Sequence, residues 1–180
     1  MVAKPKSSPS KSKGSSARDG ASGTTFEIIS ERELRMSRVF DAPRELLFEV
    51  CSKPEHIPNW WGPREQKVVV HEMDFRVGGK WRFVSRGPDG KEHGFHGVFK
   101  EIVPPKKVVQ TFNYEGIPPG HESIETAIYE DIGDGKTRLT TTSRYSSKAD
   151  LDGMVGSGME RGARESWERL AELVAKLAKK

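Results

Sequence analysis

From Phe26 onward the apolar positions of the chain follow two periods, and the change from one to the other divides it into elements. The first run, "FEIISERELRMSRVF" over 26–40, spaces its apolar residues loosely by two, the pattern of a half-buried strand. "DAPRELLFEVCS" then predicts a short helix. Leu46, Leu47 and Val50 form its stripe, Pro43 suits its first turn, and Asp41 lies near the positive end of the helix dipole. "SKPEHIPNWWGP" predicts a second short helix or helical turn. Ser52 and Glu55 have capping-box spacing, and Gly62–Pro63 ends the element, because glycine accepts a left-handed backbone and proline cannot continue a helix. The paired Trp60 and Trp61 fall on its last turn. One is expected to anchor the turn and the other to face a rim, with Trp61 as the anchor and Trp60 toward the rim, since adjacent helical residues point about 100° apart.

Beyond Gln66 the period settles at two. Six strand-like runs follow, "QKVVVHEMDF", "GKWRFVSRG", "HGFHGVFKEIV", "VVQTFNYEG", "ESIETAIYED" and "TRLTTTSRY", joined by short Gly- and Pro-rich turns. Short turns between strands predict an antiparallel meander, not the helix-linked alternation of a parallel sheet. A helix closes the chain: Ala163, Trp167, Leu170, Val174 and Leu177 recur every three or four residues. Its start is rich in glycine, at 153, 156, 158 and 162, each costing about 1 kcal/mol inside a helix relative to alanine. Either the helix begins late, or this half is loose and lies over something that needs close approach. The reading is one α+β domain over 24–180, after a Lys-, Ser- and Gly-rich tail over 1–23 whose composition predicts disorder.

Charge changes little in this picture. The net +4 comes from the tail, where Lys4, Lys6, Lys11, Lys13 and Arg18 face only Asp19; acids and bases balance over the rest. A neutral body offers no basic face for specific nucleic-acid binding. No apolar run reaches the ~18 residues of a membrane span. A single cysteine, Cys51, and no apolar leader fit a cytoplasmic protein without disulfides.

Catalytic signals are few. No Gly-x-Ser-x-Gly elbow occurs, and "VGGK" lacks the length of a phosphate loop. His93 and His96, three apart on a strand, point to opposite faces and cannot share a metal ion. Arg82, Glu125, Tyr129 and Arg138 are the polar residues that would serve acid–base chemistry if they faced inward. The alternation of rings says more. Trp81 with Phe83, Phe95 with Phe99, and Phe112 with Tyr114 each share one strand face, either filling the interior or lining a pocket.

The motifs "VFDAPRELLFEV", "PEHIPNWWGP", "VGGKWRF", "GPDGKE", "HGVFKEIVPPKKV", "DGKTRLT" and "SWERLAELV", in that order, make the chain from about Glu33 to Leu177 resemble the START-like (SRPBCC) superfamily. The resemblance is to the branch named for activators of the ATPase of the ninety-kilodalton heat-shock chaperone. It implies a helix-grip fold, a curved antiparallel sheet of about seven strands wrapped on a long C-terminal helix. It also implies an apolar cavity between the two for a hydrophobic small molecule, aromatic, acyl or polyketide-like. The expected lining is Trp60, Met73, Trp81, Phe83, Phe95 and Phe99, with Phe112, Tyr114, Met154 and Met159. Family members commonly carry Gly-Trp at the start of the last helix, where this chain has Gly158–Met159, so a flexible thioether replaces a fixed ring. No cofactor is implied. A chaperone is the alternative partner, although the eukaryotic activators carry a chaperone-contacting domain where this chain has its basic tail. A polyketide cyclase or aromatase role is the second alternative.

Overall fold

A computed structural model describes Arg18–Asp19 and residues 23–180. The tail expected over 1–23 lies outside the described residues, apart from Gly23 and Arg18–Asp19, which forms a two-residue edge strand, β1. The remaining strands are β2 (Thr25–Ile28), β3 (Glu33–Phe40), β4 (Lys67–Met73), β5 (Lys80–Arg86), β6 (Glu92–Val103), β7 (Lys107–Tyr114), β8 (Ser123–Gly133) and β9 (Lys136–Arg144). The helices are α1 (Arg44–Ser52), α2 (Lys148–Gly156) and α3 (Met159–Ala178). All strands join one antiparallel sheet in the order β1-β2-β3-β9-β8-β7-β6-β5-β4. The meander β4 to β9 thus runs in sequence order and closes against β3 by the β3–β9 pair. No described helix is long and apolar enough to cross a membrane.

Three expectations need correction. The run 26–40 is a hairpin and not one strand: "SER" turns the chain, with the Ile29 amide bonded to the Glu33 carbonyl (3.0 Å) and the Arg32 amide to the Ser30 hydroxyl (3.2 Å). This hairpin and β1 raise the strand number from about seven to nine. The second short helix shrinks to one 3-10 turn, Ile57–Asn59, because Pro54 and Pro58 cannot donate backbone hydrogen bonds. Ser52 is no cap; it ends α1 and its hydroxyl donates back to the Phe48 carbonyl. Finally, the closing helix is two helices. Ser147 caps α2 by accepting from the Asp150 amide at 3.1 Å, and Gly158, at φ 80°, breaks the chain before α3.

The main core lies between the inner sheet face, α1 and α3, around Phe40, Leu47, Trp81, Trp167 and Leu170. A smaller cluster of Phe26, Leu34, Tyr145 and Leu151 packs beside Met154 and Met159, beneath α2. Between these two masses the interior is not filled.

Candidate functional site

A cavity of about 620 Å³ opens between the inner sheet face, the segment Trp60–Gln66 and the joint of α2 with α3. Every residue expected from the sequence lies on its wall. Met73 comes from the end of β4; Trp81 and Phe83 share the inner face of β5. Phe95 and Phe99 do so on β6, and Phe112 and Tyr114 on β7. Met154 and Met159 flank the helix break, and Trp60 closes the opposite side. The rings interlock: Phe95 lies 5.6 Å from Phe112 and 5.2 Å from Tyr114, centroid to centroid.

The two adjacent tryptophans have the reverse of their expected roles. Trp60 is 8% exposed and its indole N–H donates to the Val50 carbonyl at 3.3 Å, which fixes the turn to α1. Trp61 is half-buried and stands edge-on to Phe83 (5.3 Å) and Phe95 (5.0 Å) in the wall of the cavity. Both rings lie past the end of the 3-10 turn Ile57–Asn59, with Trp60 at φ -139° and ψ -29°, so helical spacing does not set their directions.

Helix α3 holds this wall by its backbone. One Arg169 Nη donates toward the carbonyls of Trp61 (3.3 Å), Gly62 (2.9 Å) and Pro63 (3.4 Å), and the other toward Pro58 (3.3 Å). The Ser166 hydroxyl accepts from the Gly62 amide (3.1 Å) and donates to the Trp60 carbonyl (3.2 Å). Further along, Arg161 pairs with Glu65 at 3.3 Å and with Glu165 at 3.1 Å beside the cavity. A Cβ at Gly162 would stand 3.4 Å from the Pro63 ring, so this glycine lets helix and loop close up, as the glycine-rich start suggested.

The cavity is not wholly apolar. Ser85 bonds to Gln66, and His93 Nδ1 lies 2.8 Å from the Tyr114 hydroxyl. Gln110, Glu125 and Ser143 are successive register partners across β7, β8 and β9. Of the four acid–base candidates, Glu125 and Tyr129 line the cavity. Arg82 turns outward to Glu115 (2.8 Å), which Arg82 and His96 hold down to about 2 against some opposing burial, and Arg138 turns outward to Glu130 (3.3 Å). Burial pushes the Glu125 carboxyl up to about 7, against an opposing hydrogen bond from Ser143. Burial also raises Tyr145, with Glu125 adding to the effect. Cys51 is pushed up to about 12 by burial, partly offset by its bond to Tyr129, so it stays a packed thiol and not a nucleophile. His93 faces the cavity while His96 faces out to Glu115 (2.9 Å), as strand geometry requires. The sequence reading missed Trp61, Gln110 and Tyr145. Gln110 was legible, since it continues the Phe112 and Tyr114 alternation by two.

A sheet gripping a C-terminal helix across an apolar cavity defines a helix-grip, START-like protein. The family model described as Activator of Hsp90 ATPase homolog 1-like protein matches residues 41–175, and the chain belongs to that family. Among solved structures, the chain is similar to the AHSA1 protein of Silicibacter pomeroyi, with 28% identity, TM-score 0.67, and coverage of 79% of this chain and 97% of that one. A Rhodobacter sphaeroides protein shares the fold at 23% identity and TM-score 0.78, over 86% of this chain and 99% of its own. An HSP90 activator from Plasmodium falciparum shares it more distantly, at 21% identity and TM-score 0.51, over 66% and 78%. No curated protein matches the chain.

Proposed function

We propose that the protein binds a small hydrophobic molecule in the cavity between sheet and C-terminal helix and does not transform it. The observation that carries this reading is the cavity itself. Its volume of about 620 Å³ falls within the ~300–1,000 Å³ of small-molecule sites, and its wall is rich in rings and thioethers. Flexible methionines at the α2–α3 joint suit a ligand whose shape the wall must follow. Trp60, Trp61 and Trp81 line the space, so tryptophan fluorescence reports occupancy. Titration with flavonoids, fatty acids and polyketides should quench or shift this emission and raise the melting temperature for at least one class. A flat response across the panel, without thermal shift, removes the reading.

The family description supports a second reading, a module that acts on the heat-shock chaperone ATPase. The outer sheet face carries Val39, Ile124 and Ile128 at 43%, 44% and 39% exposure, apolar area outside the cavity that a protein partner would cover. An ATPase assay with the cognate chaperone decides it, and no stimulation at saturating protein removes it.

A further inference from the structure

Glu125 is out of keeping with the wall it belongs to. It sits mid-row on the inner sheet face, between Gln110 on β7 and Ser143 on β9. Phe112, two residues beyond Gln110 on the same face, is its diagonal neighbour. The Ser143 hydroxyl bonds to both Glu125 and Tyr145. The other titratable groups of the wall are committed elsewhere. Arg161 pairs with Glu65 and Glu165, His93 with Tyr114, and Cys51 with Tyr129. Among the described residues, no cation of the protein is placed against the Glu125 carboxyl.

A carboxylate in an apolar space stays protonated or takes a cation from outside. An alcohol or carbonyl compound would gain one neutral hydrogen bond from the protonated acid. A fatty acid would set a second carboxylate against the first, which opposes ionisation of both. An ammonium group gains a charge-assisted bond in a weakly polar surrounding and relieves the unpaired carboxylate. The ring faces around it attract a cation as well.

We propose that the ligand is a hydrophobic amine, whose ammonium group pairs with Glu125 while its apolar body lies against Trp61, Phe95 and Phe112. This rests on the ligand-binding reading above and narrows it. Burial lifts the Glu125 carboxyl up to about 7, so the group is poised near neutrality and an ammonium completes its ionisation.

The test compares phenylbutylamine, phenylbutanol and phenylbutanoic acid by tryptophan fluorescence, with the wild type and Glu125→Gln. The amine is expected to bind wild type roughly tenfold tighter than the alcohol, with the acid weakest, and Glu125→Gln is expected to erase the amine's advantage. In wild type, amine affinity should also rise from about pH 5.5 to about pH 8.5 while alcohol affinity stays level, a measurement that stands even if the variant fails to fold. An alcohol bound as tightly as the amine overturns the amine assignment and leaves the apolar-ligand reading intact. An amine preference that survives Glu125→Gln, or is independent of pH, also overturns it. Failure of all three probes to bind counts against both readings.

Discussion

At the scale of the residue, Trp60 and Trp61 meet different surroundings although they are neighbours in the chain. Trp60 belongs to the buried core and bonds to α1, so Trp60→Ala should cost about 3–5 kcal/mol of stability in urea denaturation. Trp61 is half-buried against Phe83 and Phe95; Trp61→Ala should cost distinctly less and instead weaken ligand binding. Equal destabilisation by the two changes would contradict their assigned roles. Glu125 makes a pH-dependent prediction. Its folded value, about 7, lies above the ordinary carboxyl value of 4.5, so the native state holds this proton more tightly than the unfolded chain. The stability it contributes is complete below the unfolded value and is lost as pH rises through about 7, a difference on the order of 3 kcal/mol. Glu125→Gln should therefore match wild type near pH 5 and exceed it in stability near pH 8, as read by denaturation at both. The strand period was enough to expect Trp81, Phe83, Phe95, Phe99, Phe112 and Tyr114 on the inner face. It could not decide Glu125, because alternation tells which residues share a face and not whether a space beside them is empty.

At the scale of the element, the segment Trp60–Gln66 owes its shape to α3 more than to itself. It follows the short 3-10 turn Ile57–Asn59 and is itself irregular, and its carbonyls need donors from elsewhere. Arg169 and Ser166 supply them. Arg169→Met should lower stability by about 2–4 kcal/mol, since several partly buried carbonyls lose a charged donor together. Arg169→Lys should recover only part of this, because one ammonium cannot reproduce the fork that spans Pro58 to Pro63. Near-ultraviolet circular dichroism should show the Trp61 environment loosening in both variants, and an unchanged spectrum would dissociate Arg169 from the wall. None of this was legible before the fold: Arg169 falls on an amphipathic helix where the pattern marks only an exposed-side charge. The glycine-rich start of the closing helix was legible as an anomaly. Its resolution into a left-handed break at Gly158 and a close approach at Gly162 needed the neighbouring loop.

At the scale of the whole molecule, the sheet order makes an open cavity out of a simple meander. Strands β4 to β9 lie side by side in sequence order, and β3 closes the row against β9, which brings α1 and α3 over one face. A ligand bound in the resulting cavity, as proposed above, would stabilise the native state by mass action. At a hundred times its dissociation constant, a bound ligand should add about 2.7 kcal/mol, visible as a higher melting temperature. A compound that shifts tryptophan emission without raising the melting temperature would have no preference for the native state and would not count as a cavity ligand.

By itself the sequence determined the elements and their faces: six strands of period two joined by short turns, a closing amphipathic helix, and rings recurring on one side of each strand. These follow from local stereochemistry and from the need to bury apolar side chains. The tertiary structure alone decided that the interior stays open, that Glu125 stands in it with no cation of the described residues against it, and that Trp60 anchors while Trp61 faces inward. Those outcomes depend on how far α3 stands from the sheet, a distance set by contacts between residues a hundred positions apart, such as Gly62 with Ser166.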